Sequence, residues 1–419
     1  IILGLIMAGL FQVFFWLSRD NLVTLNENSF EKIESLSYSP FEGYDKNLLS
    51  SEQIAYDVNL FENFTNKLRT YGTLEAYKIL QSSKDSNLPI DLGLWIGGDL
   101  QENNLEIQRA LEILKEYPNR IQSVIVGNEV LLRKELEPLE LYAYIDFMKS
   151  HTKKPVTTAE TWDIWEKNPQ LASHVDFLTI HILPYWEKVP IERYNEFIIE
   201  KYSVVEELFP NRKIVIGETG WPSHGYNNNS AIPSIKNQAQ AIRGFVNLAH
   251  EKGWHYNIIE ALDQPWKGYD EGNVGQYWGI FTTDRALKFQ LAGEVELNKY
   301  WLYQMIAAII IGALLTLFGL KNQRVNISHA FAYAIAAQGM AFGIVMAAIY
   351  PFVNYMNFGM WIMWGMGSFL MIPLVIITLA KANELFRSSI GVQPSRLVPL
   401  DLKSKNAPLV SIHVPAYKE

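Results

Sequence analysis

Between Arg324 and Lys381 the chain carries no Asp, Glu, Lys or Arg. A helix on the surface of a water-soluble globule needs a polar face. A charge-free run of this length therefore belongs in lipid. Residues 1–17 and 300–320 are uncharged as well. The long run divides at Pro351 and Asn354, which mark a turn. The pattern predicts spans at Leu302–Leu320, about Ala330–Tyr350 and about Phe358–Ala380, with residues 1–18 as an N-terminal transmembrane anchor. A cleaved signal peptide is the weaker alternative, because Ser18-Arg19-Asp20-Asn21 follows where small residues would mark a cleavage site. Position 1 is Ile inside an apolar run. This predicts that the natural start lies upstream and that the chain is a piece of a longer polypeptide.

Basic residues fix the expected orientation. Lys321 and Arg324 follow one span, Lys381 and Arg387 follow another, and the loop near Pro351 is uncharged. The positive-inside rule then places 321–324 and everything after 381 in the cytoplasm. By parity the polar middle of the chain lies outside. Lys and Arg total 36 against 44 Asp and Glu, a formal charge of −8 that argues against a nucleic-acid partner. There is no Cys, which excludes disulfides, Cys-ligated zinc and thiol catalysis.

The polar middle, roughly 30–295, shows eight strand-like runs: Ile33–Tyr38, Lys67–Tyr71, Ile90–Trp95, Ile121–Val126, Val156–Glu160, Val175–Ile180, Lys213–Gly217 and Tyr256–Ala261. Helical patterns lie between them, among them Ser51–Phe64, Asn104–Glu116, Pro138–Ser150, Ile191–Phe209 and Ile235–Glu251. That alternation predicts an α/β fold, a (β/α)8 TIM barrel with flanking transmembrane α-helices. A doubly wound open sheet is the alternative, but no Gly-rich loop joins the first strand to its helix.

In such barrels chemistry sits at the C-terminal strand ends. Strand four ends in Gly127-Asn128-Glu129 and strand seven in Gly217-Glu218-Thr219-Gly220-Trp221. Two carboxylates so placed suit glycosidic bond cleavage, with one group protonating the leaving oxygen and the other attacking the anomeric carbon or activating water. The spacing points to Glu129 as acid/base and Glu218 as nucleophile, with the proton mainly on Glu129 in the free enzyme. Asn128 is placed to donate to a sugar 2-hydroxyl. Indoles cover pyranose faces, and Trp221 and Trp266 directly follow strands seven and eight. Trp254 precedes a strand and reads as structural. His181 has no second His at metal-ligand spacing and reads as a hydrogen-bonded structural group beside the cleft.

Ile-Val-Gly-Asn-Glu-Val at 125–130 and Ile-Gly-Glu-Thr-Gly-Trp-Pro-Ser at 216–223 resemble glycoside hydrolase family 17. That family comprises β-1,3-glucan hydrolases and glucanosyltransferases on a (β/α)8 barrel. The resemblance covers about residues 33–293 and is nearest the bacterial branch. It implies retention of anomeric configuration through Glu129 and Glu218. It implies that Tyr38, Asn128, Tyr185, Glu260 and Lys267 line the cleft, and that the barrel needs no cofactor and no metal. Residues 408–419 resemble the first strand of a family 2 glycosyltransferase. Bacterial proteins that join such a barrel, membrane helices and a transferase are similar in layout.

The expected organisation is an anchor at 1–18, a barrel at 30–295, three transmembrane helices at 300–380, and at 381–419 a cytoplasmic linker with the first glycosyltransferase strand. The expected protein is a multi-pass component of the bacterial cytoplasmic (inner) membrane with a periplasmic barrel. It would act on β-1,3-glucan or a related β-glucan as part of a β-glucan synthase. Its partners would be the polymer, the bilayer and a missing cytoplasmic glycosyltransferase domain. Nucleotide sugar and a divalent metal would serve only that missing domain. The alternative is a catalytically inactive glucan-binding module that guides the polymer.

Overall fold

Eight short parallel strands close into a barrel in sequence order. They are β1 (Leu36–Ser37), β2 (Leu68–Arg69), β3 (Ile90–Leu94), β4 (Ile121–Asn128), β5 (Val156–Thr161), β6 (Leu178–His181), β7 (Ile214–Thr219) and β8 (His255–Ile258). The pairing of Ile258 with Leu36 completes the ring. Each corresponds to one of the eight runs expected from the sequence. The computed structural model describes residues 2–19, 23–25 and 32–392. The tail at 408–419 and the Asp20-Asn21 flank lie outside the described residues.

Strands buried on both faces explain the apolar runs. All five residues of β3 are buried, as are Val124, Val126, Ile180 and Ile216. Each buried Val, Leu or Ile side chain among them contributes about 1.5–3 kcal/mol of transfer free energy. Outside the barrel run α2 (Ser51–Phe61), α3 (Thr73–Ser82), α4 (Leu100–Glu116), α5 (Pro138–His151), α6 (Trp162–Lys167), α7 (Tyr194–Leu208) and α8 (Ile235–Lys252). Their starts are set by local chemistry. Ser50, Asp99 and Ser234 accept from the first-turn N–H groups of α2, α4 and α8. The left-handed Gly253 (φ 66°) ends α8. A hairpin, Phe41–Glu42 with Asn47–Leu48, rises beyond β1.

The chain divides into two units. The barrel unit holds the described residues up to Lys299 beyond the first helix, together with Tyr355–Asn357. The other unit holds α1 (Ile2–Arg19), α9 (Trp301–Leu320), α10 (Ile327–Val353) and α11 (Phe358–Ser389). By length and composition α9, α10 and α11 are apolar enough to cross a membrane, and α1 is a shorter apolar helix. Pro351 does not mark the turn expected from the sequence but lies inside the last turn of α10. Proline lacks the N–H that would bond Ala347 O four residues back. The Trp364 indole N–H donates to that carbonyl instead, at 2.7 Å.

Candidate active site

Glu129 follows β4 directly and sits in the left-handed region, with φ 56°. For a residue with a Cβ this costs about 1–2 kcal/mol, so neighbours must hold it. Its N–H donates to Ala159 O at 2.7 Å. The buried Glu160 carboxylate, at the end of β5, accepts from Leu131 N at 2.7 Å and Leu132 N at 3.3 Å. The Arg133 guanidinium donates back to Asn128 O. Gly127 (φ 84°) makes the bend possible, since a Cβ there would meet Val130 Cγ2 at 2.5 Å.

Glu218 projects from β7 and is 5% exposed. Its Oε1 makes no hydrogen bond. The nearest cationic group is Arg69 of β2, whose Nη1 lies 3.5 Å away. Gly217 lets that guanidinium pass, because a Cβ there would stand 3.1 Å from Arg69 Nη1 and 2.4 Å from Thr179 Cγ2. Arg69 also donates to Asn128 Oδ1 at 2.6 Å. Since Arg only donates, the Asn128 carbonyl end faces it and the amide N–H groups remain for the cleft that Asn128 lines.

His181, at the end of β6, joins the two carboxylates. Both Arg69 terminal nitrogens lie 3.3 Å from His181 Nε2. That ring nitrogen must accept, so the proton is on Nδ1, which donates to Glu129 Oε1 at 2.7 Å. His181 Nε2 also stands 3.6 Å from Glu218 Oε1. Burial pushes the Glu129 carboxyl up, but the His181 hydrogen bond and the charges on Arg133 and Arg69 outweigh it. The net position is below the ordinary carboxylate range. This direction runs against the expectation that the resting proton sits mainly on Glu129. The sequence does not reveal that three cation-bearing or donor side chains converge there.

One donor atom each from Glu129, His181 and Glu218 lie within 4.8 Å of one another. Such a triad has the composition of a metal site, but Arg69 already presents its positive charge to His181 and Glu218. The separation of the carboxylate oxygens is on the short side of the two glycosidase geometries. Double displacement uses about 5–5.5 Å, whereas about 6.5–9.5 Å leaves room for an intervening water.

The cleft extends to both sides of this pair. One lobe, about 520 Å³, includes Phe41, Tyr71, Trp95, Trp266 and Lys267 in its lining. The other, about 230 Å³, is walled by Trp162, Trp186 and Trp278. Of the residues expected from the sequence, Glu129, Glu218, Asn128, Trp266 and Lys267 come together here. Four do not line either lobe. Tyr38 is 1% exposed, with its hydroxyl bonded to Asp57 Oδ2 at 2.8 Å and its ring packed on Phe61. Tyr185 is fully buried and donates to Tyr226 O at 2.6 Å. The fully buried Trp221 donates its indole N–H to Ile232 O at 3.0 Å and packs edge-on against Tyr185 and Tyr194. Glu260 is 1% exposed and bound through both oxygens by Lys267, at 2.9 and 2.8 Å. It lies beneath the cleft as the counter-ion of a wall residue. Trp254 stacks on Tyr202, as its place before β8 suggested.

Arg69, Glu160 and Glu271 have roles that sequence reasoning did not assign. Glu271 lines both lobes. Burial raises its carboxyl most, Lys267 opposes this, and the charges of Glu218 and Glu129 raise it further. Its loop position gives no periodic signal by which to find it.

A family model described as the BtgE/BtgC glycoside hydrolase domain matches residues 35–279. A probable family 17 glucosidase of Saccharomyces cerevisiae is 25% identical over 260 residues, covering 60% of this chain and 66% of that protein. The chain thus spans just under two thirds of that relative's length. A glucan 1,3-beta-glucosidase of Schizosaccharomyces pombe is 27% identical over 255 residues, covering 56% of this chain and 79% of that one. Among solved structures, a glycoside hydrolase family 17 β-1,3-glucanosyltransferase from Rhizomucor miehei is similar with a TM-score of 0.56 and 25% identity. It aligns over 62% of this chain and 97% of its own.

Proposed function

This chain belongs to glycoside hydrolase family 17, and we propose that its barrel is a retaining β-1,3-glucan hydrolase or glucanosyltransferase. The observation that carries the reading is the pair of carboxylates at the ends of β4 and β7, with oxygens within 4.8 Å. In this reading Glu218 attacks the anomeric carbon through its unbonded Oε1. Arg69 stabilises the carboxylate before attack. Glu129 protonates the departing oxygen, then takes a proton from the water or sugar hydroxyl that resolves the ester. The resting site is set up for the second step, because His181 and the arginines favour Glu129 as a base. A glucosyl unit entering the cleft would expel water from the Glu129 side chain, now 22% exposed, and shift it toward the acid form needed first. Asn128 would donate to the 2-hydroxyl.

The wider setting is also our proposal. The barrel would act outside a bacterial inner membrane that α9–α11 cross, as part of a β-glucan synthase. A cytoplasmic glycosyltransferase domain following residue 419 would bring the nucleotide sugar and divalent metal. The barrel chemistry itself would use neither. The apolar helices and the basic residues at their ends support this reading.

The test is product analysis on linear β-1,3-gluco-oligosaccharides, with the anomer of the first product followed by NMR. Retention is expected, and products longer than the substrate would establish transfer. A fluorinated glycosyl trap should label Glu218, read by peptide mass spectrometry. First-formed products of inverted configuration, or label on Glu129 or Glu260, would overturn the assignment.

A further inference from the structure

The barrel unit holds another cavity, of about 350 Å³, just past the Phe41 end of the cleft. Phe41 lines both spaces. Pro265 lines the cavity and its neighbour Trp266 lines the cleft. The edge-on pair Phe41–Trp266, with centroids 6.5 Å apart, stands where the cleft and this cavity adjoin. Its size falls within the range of about 300–1,000 Å³ usual for small-molecule sites.

The wall is a built one. Tyr355 forms one side. Its hydroxyl donates to Asp263 Oδ2 at 2.9 Å and accepts from Thr283 N at 3.2 Å. Its carbonyl accepts from the Tyr44 hydroxyl at 2.6 Å, and its ring stacks on Tyr277 with centroids 5.1 Å apart. Asp263, 2% exposed, is held by Lys288 at 2.6 Å. The exposed Glu42 stands at the hairpin rim. Arg285 is bound to Asp57 and Thr283, and Asp263 is sealed in the wall, so the exposed Glu42 and Asp284 carboxylates remain for hydroxyl hydrogen bonds, beside ring faces that suit the apolar C–H groups of a glucosyl unit. Tyr355 lies outside the segment matched by the family model, so this wall is an addition to the shared barrel.

We propose that this cavity is a remote carbohydrate subsite, which takes the β-glucan chain where it extends beyond the catalytic cleft. The proposal rests on the β-glucan reading above. It predicts that affinity keeps growing with chain length after the cleft is full, and that the gain depends on the hairpin rim.

The experiment uses the full chain in nanodiscs, with Glu218→Gln to prevent turnover, titrated calorimetrically with a β-1,3-linked trisaccharide and a decasaccharide. The decasaccharide should bind at least about tenfold more tightly. Adding Glu42→Leu, which removes an exposed rim carboxylate, should remove at least about threefold of that gain and leave trisaccharide affinity unchanged. Asp284→Leu, also at the exposed rim, serves the same purpose if the first variant does not fold. An undiminished decasaccharide gain in a folded rim variant would overturn the proposal. Cleavage is read separately in the protein with Glu218 intact. Length-dependent binding without any cleavage would count against the enzymatic reading and leave the subsite standing.

Discussion

At the scale of single residues, Glu129 and Glu218 stand at the ends of β4 and β7, one or two residues after glycines that the geometry requires. His181 is a lone histidine in sequence, yet β6 brings it between Glu129 and Glu218. Tyr38 and Tyr185 carry the chemistry of cleft residues, but their hydroxyls are bonded elsewhere. If Glu129 is the acid/base, Glu129→Gln should abolish polymer cleavage and retain turnover of an activated aryl glucoside, with azide rescuing the slowed second step. Equal losses on both substrates with no rescue would remove that role. Glu160 lines neither lobe of the cleft but fixes the strained turn that presents Glu129. Glu160→Gln places an amide against two backbone N–H groups, and kcat should fall about ten- to a hundredfold with KM little changed. Burial also pushes the Glu160 carboxyl up to about 7, against the pull of the Leu131 and Leu132 N–H groups. A raised folded-state pKa favours the neutral acid. Its contribution to stability is full below the unfolded value of about 4.3 and is lost as pH rises to about 7. Thermal melts of Glu160→Gln should therefore lose less Tm than the parent across that window. An unchanged kcat, or an unchanged pH slope, would show that the turn holds without this carboxylate.

At the scale of elements, all eight strands could be read because both-face burial writes them as apolar runs at regular spacing. What could not be read is which way a side chain turns once its strand ends. Trp221 follows the end of β7 by two residues and Trp266 the end of β8 by eight, and their fates diverge. Trp221 turns inward and spends its N–H on Ile232 O. Trp266 opens a short helical turn, Pro265–Tyr269, with its ring beneath the Lys46 ammonium at 4.2 Å and beside Phe41. The two should separate on substitution. Trp266→Ala should leave the fold intact and weaken oligosaccharide binding about three- to tenfold through lost ring contact. Trp221→Ala should lower stability by about 3–5 kcal/mol, as truncation of a buried indole does. Calorimetric binding and denaturant melts on both variants check this. Normal oligosaccharide binding by a folded Trp266→Ala protein would remove that ring from the sugar path.

At the scale of the whole molecule, the charge pattern and the fold bear on one question, which side of the membrane holds the barrel. The α9 helix ends at Leu320 and is followed by Lys321 and Arg324, while Lys381 and Arg387 lie in the last turns of α11. Basic flanks stay in the cytoplasm during insertion, so both of these ends should be internal. In the proposed reading two crossings, by α10 and α11, would then put the intervening loop outside. That loop is uncharged, as an external connection of this length permits. Its residues Tyr355–Asn357 pack as part of the barrel unit, and a residue bonded into the barrel must share the barrel's side. The charge distribution and the place of this loop in the barrel unit both support the proposed external placement of the barrel. Reporters fused after Lys321 and after Arg387 should read as cytoplasmic, and one inserted near Asn228, in a turn between β7 and α8, should read as outside. An internal signal at Asn228 would reverse the orientation. It would also place a polymer-cleaving site on the side where a cytoplasmic transferase draws its nucleotide sugar, and the proposed division of labour between the two would fail with it.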